Sequence, residues 1–472
     1  MRLANSQKGV GLSGIRARSD IPECWGMHRI HQSGYYEQAA ETLVSWTASG
    51  RGVPSNERAL RLQQSVSSTP IFEGGGVEII RPLLKFGKQD LVSTCVAHGV
   101  TWTEDETNKD VWRTPRNATR SLLGKCRLPK ALSRDPLIRL SRRMVAKHVV
   151  HKLSATRSFM RCEILLFDLR SGSIVVRLPE IDDIGVNFTA VSMAHLASKP
   201  LVASLLLQRL TSQITPHEGV PLHSLQVAVD AMFPELRYQE KNDLGKKKSP
   251  SRFTAAGVQF DRLPSPLVDV ASDARSIQLA GTPQPLSHGP DRQNSWSLTR
   301  QPFMNKRASS KSQSSENTLP TILISTSPIV SESNSFPWSS WSLWDGRYWI
   351  RVKNSTVQTL QVRPFREVDL KAIRKSLPKS RLKPLEEVLA SAAPNKVRFT
   401  LPVISEASKD IDKPGKVLAL PTLGLVGQLK VESGQGVRNL EWEIRYKEVD
   451  LGCNEEGDRR ENKNIITSWR DS

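Results

Sequence analysis

The sequence predicts an α/β protein whose first part is a mixed α/β region, followed by a mixed helical middle region, a disordered linker and a small β-rich C-terminal region. Three observations carry this reading. Over residues 1–130, short apolar runs alternate with amphipathic stretches. From about residue 241 the composition turns to Lys, Pro, Ser and Gln, with twelve serines between 309 and 340. Tryptophans and β-branched residues then return from Trp338 onward. The boundaries are placed at 1–135, 136–263, 264–336 and 337–450, with a polar tail over 451–472.

Taken in order, Gly76-Val77-Glu78-Ile79-Ile80-Arg81 alternates as a strand leading into Pro82. Lys88 to His98 reads as a short helix, with Leu91, Val92, Cys95 and Val96 on one face and Gly99 as its stop. Val100-Thr101-Trp102 returns as a short strand. Ile164 to Leu169 and Ile174 to Leu178 flank Ser171-Gly172-Ser173 as a hairpin. Residues 192–214 form a helix lined by Leu196, Leu201, Leu205, Leu206 and Leu210, kinked or split at Pro200. A second helix covers Leu222 to Met232, and Phe253 to Leu263 has strand-like content. Most of 265–335 is too poor in apolar surface to offset the entropy of ordering and is expected to be disordered. Trp341, Trp344, Tyr348 and Trp349 surround the turn Asp345-Gly346-Arg347, a hairpin signal. Lys371 to Lys383 carries six basic residues and no acid, and Val397 to Pro402 and Val417 to Leu420 read as short strands.

The chain has 67 Lys and Arg against 47 Asp and Glu, a net charge of +20. Such a surplus favours polyanionic partners, because phosphates attract Lys and Arg and release counterions on binding. With no basic amphipathic helix in view, nucleic acid outweighs an anionic membrane surface. The surplus is steepest over residues 113–147, with eleven Lys or Arg and the single acid Asp135. That run reads either as a solvated face or as a phosphate-contacting one, with Arg139, Arg142 and Arg143 the candidate RNA contacts. Five scattered cysteines without a C-x-x-C argue for a reducing compartment and against a disulfide framework or a cysteine zinc site. No apolar run approaches the roughly 18 residues of a membrane span.

Several patterns are weighed and set aside. Gly9-Val10-Gly11-Leu12-Ser13-Gly14 fits G-x-G-x-x-G, but only the polar Met1 to Lys8 precedes it, and the fingerprint needs a strand there. Cys24, His28 and His31 lack the fourth partner of a closed zinc site, so no metal is assigned. His148 and His151 are expected to face phosphate or solvent. Gly74-Gly75-Gly76 lacks the Lys and Ser or Thr of a P-loop.

The most specific stretch runs from Arg81 to Arg120. It holds Arg81-Pro82-Leu83-Leu84, then Trp102, Glu104-Asp105, Asn108 and Asp110, then Arg116-Asn117 and Arg120. Chemically this is an acidic loop followed by arginines at i, i+4. It is either a loop held by salt bridges and caps, or a site where Asp105 and Asp110 orient a metal or amine while Arg116 and Arg120 hold phosphates.

R-P-L-L, a helix ending His-Gly, a Trp, then E-D-x-x-N-x-D and R-N-x-x-R resemble the back half of the catalytic domain of tRNA(Ile)-lysidine synthases. Gly11-Leu12-Ser13-Gly14-Ile15 is similar to the family's G-L-x-G-M segment, and Leu128-Pro129 to the Leu-Pro after the R-N-x-x-R helix. Residues 338–352 and Leu418 to Gly424 resemble the C-terminal region of fungal members. The resemblance implies an incomplete Rossmann-like N-type ATP pyrophosphatase (PP-loop) domain over 1–135. It also implies a ligase in tRNA processing: ATP and Mg²⁺ as cofactors, adenylation of the wobble cytidine of an isoleucine tRNA, and displacement of AMP by free lysine. The family's S-G-G-x-D-S loop and H-H-x-D-D-Q motif are both absent from the 472 residues. The first residues resemble the end of the helix carrying the second motif, so the chain is expected either to be an N-terminally truncated member, inactive alone, or to have lost its nucleotide site and kept only RNA binding. That match also sets aside a transit-peptide reading of the basic first 19 residues, which contain no acid. Family implication places the protein in the mitochondrion, otherwise in the cytoplasm.

Overall fold

The computed structural model describes residues 9–15, 17–20, 78–180, 184, 199–217, 219–236, 249–263, 294–303, 320–325, 337–354, 358–408, 415–426 and 440–447. A 3-10 turn over Gly9–Leu12 is followed by strand β1 (Arg18–Asp20), which pairs antiparallel with β2 (Glu78–Ile80). Pro82 lacks an N–H, which suits it to open the 3-10 turn Pro82–Lys85 that ends β2. Helix α1 (Lys88–Ala97) begins where the Gly87 N–H donates to Asp90 and ends where Gly99 takes φ +64°. The strand expected at Val100-Thr101-Trp102 does not form. Residues 100–105 run irregularly and find no strand partner among the described residues, so no ladder fixes them. Helix α2 (Pro115–Lys125) has Thr114 as N-cap and Pro115 in its first turn.

Helix α3 (Arg134–Met160) has 27 residues, about 40 Å at 1.5 Å per residue. Its C-terminal half is core: Ala146, Val150, Ala155 and Phe159 are buried. Ser154 and Ser158 satisfy their hydroxyls on the carbonyls of Val150 and Ser154. His151 is also buried, at 1% exposure, which corrects the expectation that it faces phosphate or solvent. It lies one residue from Val150, on the face the helix turns inward. The half from Arg134 is exposed or half-buried, and Ser141, donating to the Ser13 carbonyl at 2.9 Å, ties it to the beginning of the chain.

Strands β3 (Glu163–Asp168) and β4 (Ser173–Arg177) form the expected hairpin. Of the helix expected over 192–214, the described part is α4 (Lys199–Ser212), with Pro200 at its second described residue; residues 192–198, where a kink or split at Pro200 would show, lie outside the described residues. A 3-10 turn, Leu222–Leu225, leads into α5 (Gln226–Met232). Strands β5 (Arg252–Ala255) and β6 (Val258–Arg262) join through Ala256-Gly257, both at positive φ, the two-residue hairpin geometry that matches strand twist.

Strand β7 (Ser295–Arg300) corrects the linker expectation over 264–336. It is the central strand of the sheet β3-β4-β7-β6-β5, paired antiparallel with β4 and β6, with Trp296 and Leu298 fully buried. The composition of the long window hid a four-residue alternation, Ser295-Trp296-Ser297-Leu298. A second strand, β8 (Ile322–Ile324), also falls in that segment, of which 264–293, 304–319 and 326–336 lie outside the described residues. The boundary at 263 is therefore crossed by one sheet.

The C-terminal region adds β9 (Ser342–Trp344), β10 (Tyr348–Asn354), β11 (Leu360–Pro364), α6 (Glu367–Ser376) and α7 (Lys379–Ala392). It ends with β12 (Pro402–Glu406), β13 (Val417–Leu420), β14 (Leu425–Val426) and β15 (Leu440–Tyr446). The sheets are ordered β15-β10-β9 and β14-β13-β12-β11-β8. Val397 to Thr400 belongs to a 3-10 turn rather than the expected strand, started by Pro394 and by Asn395 at φ +52°. Every strand pairing among the described residues is antiparallel.

Three buried apolar clusters hold these parts: α3, α4 and α5 on the β7 sheet, α6 and α7 on β12 and β13, and the space between the two C-terminal sheets. Among the described residues, no apolar side chain before Ala146 is buried. No described helix is long and apolar enough to cross a membrane.

Candidate functional site

The stretch Glu104 to Arg120 folds into one unit. Asp105 caps a 3-10 turn over Glu106–Lys109, its Oδ1 accepting from the Thr107 backbone N–H at 2.9 Å and from the Thr107 hydroxyl at 2.7 Å. Asp110 ends the turn and its Oδ1 accepts from the Trp112 N–H at 2.9 Å. Asn117 then ties the turn to α2. Its Nδ2 donates to the carbonyls of Thr107 (3.0 Å) and Asp110 (2.9 Å), and its own N–H donates to the Thr114 hydroxyl. It is the one buried residue of α2. Arg120 donates to the Asn108 side chain at 3.2 Å, and Lys88 pairs with Glu104, joining the unit to the start of α1.

Each sequence-selected residue thus has a place. Asp105 and Asp110 serve the turn through one carboxylate oxygen each. Arg120 clamps the turn from outside. Arg116 is exposed, with no partner among the described residues. The structure brings Asp105, Asp110 and Arg120 into one unit but does not set the acids facing the arginines. The Thr107 hydroxyl, helped by the Thr107 N–H and by Arg113, holds the Asp105 carboxyl below its ordinary value, against a small desolvation effect. The residue that sequence reasoning left out of the site is Asn117. Its signal was available: it is the uncharged residue three positions after a Thr-Pro cap, where α2 turns inward.

No group of three or more His, Cys, Asp or Glu among the described residues could hold a metal ion. Cys24, His28 and His31 lie outside them. Nor do the described residues contain a glycine-rich turn leading from a strand into a helix N-terminus, so they do not fit a nucleotide with its Mg²⁺.

A second feature adjoins the unit. Arg139, Arg142 and Arg143 are all exposed on the first half of α3, at i, i+3 and i+4, and therefore share one side of the helix. None has a partner among the described residues. In all of α3 the sole acid is Asp135, against seven Lys or Arg. The helix therefore presents an unneutralised cationic face anchored by a buried half.

Residues 59–126 match the model of a family described as a PP-loop domain, a stretch that spans β2, α1, the acidic turn and α2. Over 366 residues the chain is 24% identical to a protein of Schizosaccharomyces pombe named as a probable tRNA(Ile)-lysidine synthase, covering 77% of this chain and 61% of that relative. The chain is thus similar to a probable tRNA(Ile)-lysidine synthase and carries a PP-loop domain match. It spans less than two thirds of the length of this relative. No solved structure matches it. The unit built on α2 lies at the end of the PP-loop match, and the cationic half of α3 follows directly.

Proposed function

We propose that this chain serves ATP-dependent tRNA modification, the joining of free lysine to the wobble cytidine of an isoleucine tRNA. The observation that carries the reading is the acidic turn locked by Asn117 onto the R-N-x-x-R helix, followed by an exposed arginine face. In this division of labour Arg116, Arg139, Arg142 and Arg143 bind tRNA phosphates. A guanidinium matches a phosphate bidentately, and the rigid helix fixes the spacing of the contacts. When bound, ATP would supply the activation of the cytidine carbonyl and a pyrophosphate leaving group. The described residues do not by themselves fit that group.

A second reading, a tRNA-binding protein without catalysis, is favoured by one observation: the exposed arginine face of α3 can hold tRNA phosphates without any nucleotide site. Two measurements separate the readings. Purified 1–472 is incubated with ATP, Mg²⁺, lysine and isoleucine tRNA, and the nucleosides are analysed. Lysidine at a rate like that of a full-length relative establishes the ligase, whereas tRNA binding without lysidine establishes the second reading. In parallel, Arg139→Glu, Arg142→Glu and Arg143→Glu together should weaken tRNA binding and flatten its salt dependence, by about 0.9 per lost phosphate contact in log–log slope. Unchanged affinity and slope would remove the RNA reading altogether.

A further inference from the structure

We infer that Trp112, flanked by Arg113 and Arg116, is a stacking platform for an unpaired nucleotide of the bound RNA. The inference rests on the tRNA reading above and goes beyond it by naming a residue and the part of the RNA it meets.

Trp112 is 94% exposed, more than any other large apolar side chain among the described residues. Leaving an indole in water forgoes the favourable burial that most of the described tryptophans obtain, Trp102 at 47% exposure being the half-covered exception. Trp296, Trp341, Trp344 and Trp349 are buried, and Trp338 is covered by the cations of Arg351 and Lys353. No ring or cation lies against Trp112 among the described residues. Its support is nonetheless fixed. Its N–H is held by the Asp110 carboxylate at 2.9 Å, and the Asp110 carbonyl is held in turn by the buried Asn117 at 2.9 Å. A flat aromatic on a pinned turn, with open faces, is the arrangement that stacks a nucleobase, and every base has a π-face to offer.

The surrounding charge selects a nucleotide over an apolar peptide. Arg113 and Arg116 are exposed on either side of the helix start, and α2 carries no acid at all. Two carboxylates are near, but Asp105 and Asp110 each turn one oxygen into the backbone of the turn. A base lying on Trp112 would therefore direct its phosphates toward the arginines and away from the acids. The stacked base must be unpaired, because a duplex keeps its base faces covered by their neighbours.

The test uses the full chain and two labelled RNAs, a short hairpin with an unpaired loop and a blunt duplex of the same stem. Trp112→Ala should weaken hairpin binding by about tenfold, within the range measured for loss of one stacking aromatic. Duplex binding and the salt slope should be unchanged, because no phosphate contact is removed. Trp112→Phe, which keeps an aromatic face, should restore most of the loss. Being fully exposed, the residue can be replaced without lowering the melting temperature, which is checked alongside. Equal hairpin affinity for wild type and Trp112→Ala, or equal losses on hairpin and duplex, would overturn the inference while leaving the tRNA reading intact. A wild-type chain that binds neither RNA would fail the tRNA reading itself. A Trp112→Ala chain with wild-type RNA affinity but altered self-association would instead assign the exposed indole to a protein contact and overturn the stacking role.

Discussion

At the scale of single residues, the unit around α2 shows how a motif can be legible while its logic is not. Asp105, Asp110 and the two arginines stood out by charge, and charge suggested that they face one another. The structure spends one oxygen of each acid on backbone N–H groups and gives the bridging role to Asn117, whose amide has donors enough for two carbonyls at once. That partnership spans seven and ten residues, beyond any helical or strand period. The Asp105 cap has a pH signature. Because its folded carboxyl titrates below the ordinary value of 3.8, its contribution is present above that value and is lost as pH falls through the lowered one. The Thr107 amide resonance, which reports the cap, should therefore titrate with a midpoint below 3.8, and Asp105→Asn should abolish the titration. A midpoint at or above 3.8 would show that the Thr107 hydroxyl does not hold the ionised form.

At the scale of elements, strand pairs with local turns were readable and strands with distant partners were not. The β3–β4 and β9–β10 hairpins follow from Gly172 and Asp345-Gly346, because the turn and both strands lie in one short window. Strand β7 pairs with β4 and β6, which precede it by more than a hundred and by about thirty residues, and it sits amid Ser- and Gln-rich sequence. Long-range pairing must be worth its loop-closure entropy, and here the burial of Trp296 supplies much of the return. The indole N–H donates to Asn294 at 2.6 Å, Asn294 donates to the Met232 carbonyl, and the ring meets Phe253 edge-on at 5.7 Å. Trp296→Ala should cost about 3–5 kcal/mol, the range for deleting a large buried aromatic. Urea unfolding measures this, and limited proteolysis should then open the wild-type-resistant stretch 294–303. A loss under about 1 kcal/mol would mean that β7 is not central to the sheet.

At the scale of the whole molecule, the middle and C-terminal regions are locked together by a buried charge centre. Asp345 accepts from Arg300 through both oxygens, at 3.0 and 2.9 Å, and from the Arg347 Nε at 2.8 Å. Arg347 also donates to the carbonyls of Ser171 and Thr400, and Arg300 to those of Gly257 and Gln301. Five segments far apart in sequence therefore meet around one carboxylate: the β3–β4 turn, the β5–β6 turn, the end of β7, the β9–β10 turn and the last residue of the 3-10 turn that precedes β12. The close fit is steric as well, since a Cβ on Gly346 would fall 2.0 Å from the Pro216 carbonyl oxygen. In the sequence Asp345-Gly346-Arg347 reads only as a turn, because none of its partners lies within reach of a local pattern. All three charged side chains are nearly excluded from water, at 4%, 10% and 5% exposure for Asp345, Arg300 and Arg347. Removing one member of such a group strands the others in a medium that solvates them poorly. Asp345→Ala should thus destabilise the fold by about 3–5 kcal/mol. Arg300→Met should cost less, because Asp345 keeps Arg347 and the freed space accepts a methionine. The two variants are compared by urea unfolding followed through the buried Trp344, which lies beside Arg347 with its ring centroid 5.9 Å from the guanidinium. If Asp345→Ala were no worse than Arg300→Met, the carboxylate would not be the centre on which the sheets are joined.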